Sequence, residues 1–274
     1  MRALNRPTSW WGWHWHPPTP MSITEILQAG NMTPRMAALF WIGLERGASI
    51  IIAADPPNSG KTTTLTALLT FTPPDTLVYF TRGEGETFAL PRLDPSYQTY
   101  LLINEMSDHI PVYTWDDNAR RAFELLSEGY SLASTMHADT VEGVIQQLEG
   151  DLSIPRPQIA NLTFIVPMYV SQLHGGPRRL TEIAFLQPDG DGVAIGRLAT
   201  WDSGPDEFAV LPDVDHAAAY AKWAGLSVER MELELDRREG FLRKLLDDRV
   251  LEIPLVTEAV EGYYEERLKT AREA

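Results

Sequence analysis

One stretch, residues 49 to 69, constrains the fold of this chain more than any other. An apolar run, Ser49–Ala54, leads into the loop Asp55–Thr64, and a run of helix formers, Leu65–Leu69, leads out of it. Strand, loop and helix in this order are the setting in which a Gly-Lys-Thr sequence binds phosphate. The free N–H groups and the positive dipole end of the helix then face the loop. The stretch therefore predicts a phosphate-binding loop after a buried strand.

The residue types in this loop suit a nucleotide phosphate. The candidate contacts are Asn58, Ser59, Gly60, Lys61, Thr62 and Thr63. Lys61 is predicted to reach the β- and γ-phosphates of ATP, and Thr62 to bind Mg²⁺. Asp55 stands where the usual pattern has its first glycine, and its carboxylate would repel a triphosphate unless it points away. Asn58 replaces a further glycine, which is a milder change because Asn tolerates left-handed backbone. The alternative interpretation is an eroded loop that keeps its shape without its ligand.

The composition excludes several classes of protein. A formal net charge of −15 disfavours a nucleic-acid backbone as the main partner. The chain has no cysteine, which excludes disulfides and cysteine-based metal sites. No apolar run is long enough to span a bilayer, and no segment has the apolar core of a signal peptide. We therefore expect a soluble cytoplasmic protein.

Residues 1–20 are predicted to form an arm. Trp10–His16 holds four of the eight tryptophans, and Pro17–Pro20 follows it. The prolines disfavour regular structure. Two interpretations stay open: the arm docks on a partner or a neighbouring subunit, or it folds back on its own domain.

Polar residues follow each of the next three predicted strands. Thr76–Phe80 runs into Glu84, Thr99–Glu105 ends in Glu105, and Tyr130–Thr135 is followed by His137. Parallel strands of an α/β sheet place their carboxyl ends at one edge, so Lys61 and these three side chains are expected to converge.

Each of these side chains has a functional and a structural interpretation. Glu105 at a strand end can orient and activate the water that attacks a γ-phosphate, or it can simply end the strand. Glu84 belongs either to the site or to a solvated turn. His137 contacts the γ-phosphate or is a structural histidine.

Local signals predict further elements. Helices are expected from the capping box Ser22–Glu25, from Thr33-Pro34 to Gly47, and from Trp115 through Glu128 to Gly129. Strands are expected at Asn161–Val170 and Arg178–Leu186, the second forming a hairpin with Val193–Leu198 through the turn Asp189–Gly192. The pattern becomes helical from Asp213, with Ser227 as an N-cap and a last helix after Pro254.

Four motifs together resemble the secretion ATPase superfamily, the hexameric motors of type II and type IV secretion, type IV pili and the archaellum. The likeness is greatest to the archaellum and tight-adherence pilus branch. Ser59–Leu65 resembles the family's S-G-K-T-T-T-L, Leu101–Glu105 its atypical Walker B, Ser134–Asp139 its S-T-x-H-A-D His box, and Glu84 lies where the family has an acidic Asp box. A paired arginine, Arg178-Arg179, resembles a later strand of the family.

The resemblance implies an α/β fold: a RecA-like P-loop domain at residues 21–210 with a small β-hairpin element, and a helical C-terminal region at residues 211–274. It implies an ATPase using ATP and Mg²⁺ that powers assembly of a pilus, archaellum-like or secretion filament. Glu105 would activate water, Glu84 would assist at Mg²⁺ or water, and His137 would couple the γ-phosphate to movement. The implied partners are copies of the chain in a hexameric ring and a membrane platform protein, which would place the chain at the inner face of the membrane.

Departures from the family pattern support an alternative function. Asp55 and Asn104 replace glycines, the arginine expected after Glu105 is missing, and the family's separate N-terminal domain is expected to be absent. The chain is then a degenerate paralogue, a structural or regulatory nucleotide-binding subunit with little or no hydrolysis. Four arginines remain candidates for contacting a neighbour's nucleotide: Arg82, Arg92, Arg120 and Arg156.

Overall fold

The computed structural model describes residues 1–5, 20–171 and 176–273. The predicted arm lies mostly outside this range, and so does its Trp10–His16 segment. The first residues do form structure, because Arg2–Ala3 pairs in parallel with the strand at Leu77–Val78. Residues 1–5 therefore belong to the sheet and not to an irregular arm.

Within the described residues the strands form one sheet. They are β1 Arg2–Ala3, β2 Ile50–Ala53, β3 Leu77–Phe80, β4 Thr99–Leu102, β5 Ser131–Met136, β6 Phe164–Val170, β7 Arg178–Leu180, β8 Glu182–Asp189, β9 Gly192–Asp202 and β10 Glu207–Val210. Their order is β1-β3-β4-β5-β2-β6-β8-β9-β10, with β7 paired to β6. The pairs from β1 to β6 are parallel, and those among β6 to β10 are antiparallel.

Helices pack on the sheet, and three of those described come after its last strand in the chain. They are α1 Ile23–Gln28, α2 Pro34–Glu45, α3 Lys61–Leu68, α4 Asp116–Glu128, α5 Val141–Gln146, α6 Arg156–Ile159, α7 Val214–Trp223, α8 Val228–Asp247 and α9 Ile253–Glu273. A π-helical turn, Gln147–Asp151, continues α5. The predicted α/β fold class, with a mostly parallel sheet and C-terminal helices, is confirmed. No helix among the described residues is long and apolar enough to cross a membrane.

The local signals in the sequence place most helix ends correctly. Ser22 and Glu25 form the reciprocal capping box that opens α1. Thr33 caps α2, with Pro34 at its first position. Gly129 ends α4 at a φ of 111°, a conformation that an L side chain rarely adopts. Short-range hydrogen bonds dictate these ends, so the sequence alone identifies them.

The strand predictions needed correction after residue 160. Asn161–Val170 begins as a strand only at Phe164. Arg178–Leu186 is two strands, because the chain breaks at Thr181, whose N–H donates to the Pro167 carbonyl. The hairpin is confirmed and longer than expected, and β10, which pairs with the end of β9, was not predicted.

Candidate functional site

The predicted phosphate-binding loop joins the buried strand β2 to α3. Gly60 is the N-cap of α3 with a φ of +94°, a left-handed conformation that favours glycine. Asn58 is left-handed as well, at a φ of 58°. The expectation that Asn accepts this backbone in place of glycine is thus met. Together these residues turn the chain so that the first N–H groups of α3 face a cleft.

Lys61 lies almost wholly inside this cleft. Lys61 is only 6% exposed, and its Nζ donates a hydrogen bond to the Ala54 carbonyl at 2.8 Å. Burial lowers the pKa of Lys61, while the negative charges of Glu105, Asp55 and Asp139 oppose that change. A buried ammonium with so few partners is well suited to an anionic ligand.

The cleft encloses about 130 Å³ and brings together most of the predicted residues. Its lining is Pro57, Asn58, Ser59, Gly60, Lys61, Thr62, Thr63, Glu105, Tyr113 and His137. The buried hydroxyl of Ser59 has no hydrogen-bond partner within the described residues. Closed ligand sites typically measure about 300–1,000 Å³, so this cleft has room for the phosphate end of a nucleotide and not for the whole molecule.

These residues fit a polyphosphate and its metal ion. Lys61, the unpartnered Ser59 hydroxyl and the N-terminus of α3 supply a cation and hydrogen-bond donors for phosphate oxygens. The Thr62 hydroxyl is an oxygen ligand of the kind that Mg²⁺ prefers. The donor set of the cleft is therefore the one that ATP with Mg²⁺ requires.

Glu105 and His137 form a buried ion pair at one wall of the cleft. His137 Nε2 lies 3.1 Å from Glu105 Oε1, and His137 Nδ1 lies 2.8 Å from the Asp55 carbonyl oxygen. A carbonyl and a carboxylate both only accept hydrogen bonds. Both ring nitrogens can donate only in the imidazolium form, so this geometry favours a protonated His137.

The pKa values agree with this pairing. The hydrogen bond to Glu105 raises the pKa of His137, against the effect of burial. Burial alone would raise the pKa of Glu105, but the hydrogen bond and charge of His137, with Lys61 and the Ser107 hydroxyl, outweigh it and lower that pKa. At neutral pH, Glu105 is thus a carboxylate that already holds a proton donor.

Asp55 does not enter the cleft. Its N–H donates to Asp139 Oδ1 at 3.0 Å, and its carbonyl accepts from His137. The residue is exposed and is absent from the cleft lining. The substitution of the first loop glycine therefore links the loop to the end of β5 through backbone groups, while the negative charge of Asp55 still acts on Lys61.

Glu84 is the one predicted site residue that the structure places elsewhere. It is exposed and lines a neighbouring pocket with Asp108, His109 and Asn118, sharing only Tyr113 with the cleft. Its N–H donates to the Pro111 carbonyl, so the turn after β3 packs against the loop 106–115. A role for Glu84 at Mg²⁺ or water stays a prediction.

Three residues near the cleft were not assigned a catalytic or binding role from the sequence. The pKa of Tyr113 is raised to about 12 by burial and the nearby Glu105. His109 lies beside His137, with ring centroids 5.2 Å apart. Arg178 reaches the loop, with Nη2 3.4 Å from the Asn58 carbonyl oxygen. Only the arginine pair Arg178-Arg179 carried a sequence signal, since the other two lie on an irregular loop.

The four candidate arginines differ in their surroundings. Arg156 pairs with Glu149 through two hydrogen bonds, and Arg120 pairs with Asp117 and the Leu152 carbonyl. Arg82, Arg92 and Arg156 are exposed, but Arg156 is already engaged by Glu149. The side chains of Arg82 and Arg92 are therefore the better placed of the four to meet a neighbouring molecule.

Comparisons with known proteins found distant sequence relatives and structures of low similarity. No family model matches the chain. It is similar to an uncharacterised protein of Methanocaldococcus jannaschii, 25% identical over 254 residues, covering 81% of this chain and 90% of that protein. A second uncharacterised protein of the same organism is 26% identical over 284 residues, covering 91% of this chain and 50% of that protein. The chain thus spans half the length of the second relative.

Two solved structures of ATPases are similar to the chain. One is the VirB11 ATPase from the Brucella suis type IV secretion system in complex with sulphate, with a TM-score of 0.40 and 15% identity over 59% of this chain and 54% of that chain. The other is the Legionella pneumophila ATPase DotB, with a TM-score of 0.36 and 12% identity over 84% of this chain and 58% of that chain.

Proposed function

We propose that this chain is a Mg²⁺-dependent ATPase that hydrolyses ATP between subunits of a ring and powers assembly of a pilus, archaellum-like or secretion filament. The observation that carries the proposal is the cleft at the carboxyl edge of the sheet. There a buried lysine, a left-handed loop before a helix N-terminus and an ionised glutamate face one another. Phosphoryl transfer to water requires these groups: a cation, oriented N–H donors and a proton acceptor.

The loop residues bind and orient the phosphates. Lys61 exchanges its bond to the Ala54 carbonyl for a phosphate oxygen, and the Ser59 hydroxyl gains the partner that it lacks. Thr62 would hold Mg²⁺, which would neutralise charge on the phosphates. The buried position of Lys61 makes its charge effective, because water screens it little.

Glu105 orients and deprotonates the attacking water. In the proposed cycle its carboxylate leaves His137 Nε2, at present 3.1 Å away. His137 then keeps only its bond to the Asp55 carbonyl at the base of the loop. A change at the phosphate end is thereby linked to the end of β5, and this link is the proposed route from hydrolysis to movement.

The same ion pair favours a second function, a nucleotide-binding subunit with little or no hydrolysis. While His137 holds Glu105, the carboxylate has a proton donor where a general base needs a water molecule. The hydrogen bond from Ser107 to the same oxygen, at 3.0 Å, strengthens this arrangement. If bound nucleotide leaves the pair intact, the chain binds without turnover.

Rates of ATP hydrolysis at several protein concentrations separate these functions. With Mg²⁺ present, the rate per chain should rise with concentration, because one chain encloses only the phosphate end. Lys61→Ala should abolish both nucleotide binding and turnover. Glu105→Gln should keep binding and lose about 10²–10⁴-fold in rate, the usual contribution of a general base.

Matched controls keep this test specific. Lys222→Ala on α7 and Glu128→Gln on α4 change exposed residues of the same types and should leave the rate unchanged. One outcome is that the wild type binds nucleotide without any turnover, while Lys61→Ala does not bind. These two results together would favour the nucleotide-binding subunit over the ATPase. No nucleotide binding by the wild type would reject both functions.

The cellular role is proposed from the four motifs. The membrane platform protein of a pilus or secretion system is the proposed partner, with the chain acting at the inner face of the membrane. A strain lacking the chain should lose its surface filament, and Lys61→Ala should fail to restore it while Lys222→Ala restores it. Filaments that persist without the chain would contradict this role.

A further inference from the structure

Glu105, His109 and His137 form a cluster of metal-ligating groups at the edge of the cleft. One ligand atom from each side chain lies within 4.8 Å of the other two. Glu105 Oε1 is 3.1 Å from His137 Nε2 and 3.9 Å from His109 Nδ1. Two imidazoles and a carboxylate at this spacing are a different ligand set from the oxygen ligands around Thr62.

The donor types select among metal ions. Imidazole suits Zn²⁺ and its first-row neighbours, whereas Mg²⁺ prefers oxygen ligands. Zn²⁺ bound at about 2.1 Å in a tetrahedral site holds its ligand atoms roughly 3.4 Å apart. The distances of 3.1 and 3.9 Å lie on either side of that value. The side chain of His109 is 60% exposed, and its movement alone would shorten the distance of 3.9 Å to the value for Zn²⁺ ligands.

The outer contacts of the cluster are those of a metal site. The Asp55 carbonyl accepts from His137 Nδ1, which leaves Nε2 as the ligand atom directed at Glu105. Ligating histidines usually donate their other nitrogen to a carbonyl or carboxylate in this way. Ser107 donates to the Glu105 carboxylate, and Gln147 donates to the His137 carbonyl. Two of the three ligands are therefore held in position beforehand.

The local charges permit a divalent cation. Lys61 opposes it, but its ammonium is bonded to the Ala54 carbonyl. Asp55 and Asp139 lie close enough to act on the same lysine, and they add negative charge to that of Glu105. A bound divalent ion replaces the proton between His137 and Glu105. The net positive charge at that point therefore rises by one unit and not by two.

From this geometry we infer that Glu105, His109 and His137 bind one Zn²⁺-type transition-metal ion in the absence of nucleotide. The binding itself does not depend on the proposed function. Its consequence does rest on that function: because the ion takes up Glu105, it inhibits Mg²⁺-dependent hydrolysis. The cluster is then an inhibitory metal site built on the catalytic carboxylate.

Titration of the chelator-treated, tag-free full chain with Zn²⁺ tests the binding directly. The expected result is one ion per chain, with affinity at least about tenfold weaker in His109→Asn, since even outer-shell changes cost about 10–100-fold. Glu105→Gln and His137→Asn should weaken it likewise, while His216→Asn should not. Circular dichroism checks that each variant is folded, and exposed His109 is the variant least able to disturb folding.

Three results would overturn the inference. One is wild-type protein that binds no Zn²⁺, and another is His109→Asn protein that binds as the wild type does. The third is binding lost in a His14→Asn/His16→Asn double variant but kept in the cluster variants, which would place the ion on the N-terminal segment. All three are read without nucleotide, so they are independent of whether the chain hydrolyses ATP.

A hydrolysis assay tests the consequence. Zn²⁺ should lower the rate of the wild type at constant Mg²⁺ and ATP, and a chelator should restore it. The fractional inhibition, taken against each variant's own metal-free rate, should be smaller in His109→Asn than in His216→Asn. Equal inhibition in both variants would reject the inhibitory role of the cluster.

Discussion

At the scale of single residues, the charge of Glu105 depends on its two cationic neighbours. The residue is only 7% exposed, and a buried carboxylate without partners would take up a proton. His137 and Lys61 reverse that tendency and lower its pKa below the ordinary value of 4.5. The same contact raises the pKa of His137 above 6.5. The pair therefore adds stability over a defined range of pH.

The first prediction concerns this range. The raised pKa of His137 contributes stability that is complete below pH 6.5 and is lost as pH rises through its folded-state pKa. The lowered pKa of Glu105 contributes stability that is complete above pH 4.5 and is lost as pH falls through its folded-state pKa. The difference in free energy of unfolding between wild type and His137→Asn should thus be largest between about pH 4.5 and 6.5. Urea unfolding at a series of pH values measures it, and a difference constant from pH 5 to 9 would contradict the ion pair.

The second prediction uses two glycines of one turn. Gly83 has a φ of +65°, and a Cβ there would lie 2.0 Å from the Pro111 carbonyl oxygen, whereas a Cβ on Gly85 would meet nothing within 4 Å. Gly83→Ala should destabilise the protein by about 2–4 kcal/mol through strain and overpacking. Gly85→Ala should change stability by less than about 0.5 kcal/mol.

Thermal and urea unfolding of both glycine variants provide the test. Because Pro111 precedes Tyr113 on the same loop, Gly83→Ala should also weaken nucleotide binding if the cleft binds nucleotide. Equal stability of the two variants would show that the loop 106–115 does not pack against this turn.

At the scale of elements, a buried ion network holds α8 against α2. Arg238 is fully buried and pairs with Glu45 on α2 and with Glu234 one turn earlier on its own helix, the latter at 3.1 Å. Its guanidinium also lies 5.6 Å from the centre of the Trp41 ring. These contacts give the apolar interface between α2 and α8 a specific register.

The third prediction compares two adjacent arginines of α8. Arg238→Leu should destabilise the protein by about 1–3 kcal/mol, because Glu45 and Glu234 would lose their buried partner while Arg267 still pairs with both. Arg237→Leu removes a half-exposed side chain that pairs with the same Glu234, and should cost less than about 1 kcal/mol. Free energies of unfolding in urea check both. A similar loss of stability in the two variants would mean that burial does not determine how much these ion pairs contribute to the free energy of unfolding.

At the scale of the whole molecule, the C-terminal helices share the core of the sheet domain. Trp41 on α2 stacks on Phe71, with ring centroids 4.7 Å apart, and also contacts Tyr263 and Tyr264 on α9. The Tyr264 hydroxyl accepts from the Trp41 indole and donates to the Phe71 carbonyl. The predicted division at residue 210 therefore separates stretches of sequence that pack as one core.

The fourth prediction follows from this shared core. A chain ending at Val210 should fail to fold cooperatively, since removal of α7, α8 and α9 exposes the apolar face of α2. Near-ultraviolet circular dichroism and dye binding to exposed apolar surface would detect the loss of packing. A truncated chain with a sharp unfolding transition close to that of the full chain would show an independent domain.

Much of the fold was predictable because short-range physics determines it. The strand, loop and helix around Lys61, the caps at Ser22 and Thr33, and the helix end at Gly129 each depend on residues within one or two turns. Strand limits after residue 160 were less predictable, because pairing partners far along the chain decide them. The break at Thr181 depends on Pro167, and β10 depends on β9.

By itself, the sequence determined the left-handed loop before α3, the order of the strands and helices along the chain, and the expectation that Glu105 and His137 end neighbouring strands at one edge. Only the tertiary structure decided which side chains meet there. It brought His137 onto Glu105, placed Glu84 in an adjoining pocket and added His109 and Tyr113 from an irregular loop. The physical reason is range: hydrogen bonds within a few residues shape a loop or a helix end, whereas contacts between distant segments depend on how the whole core packs.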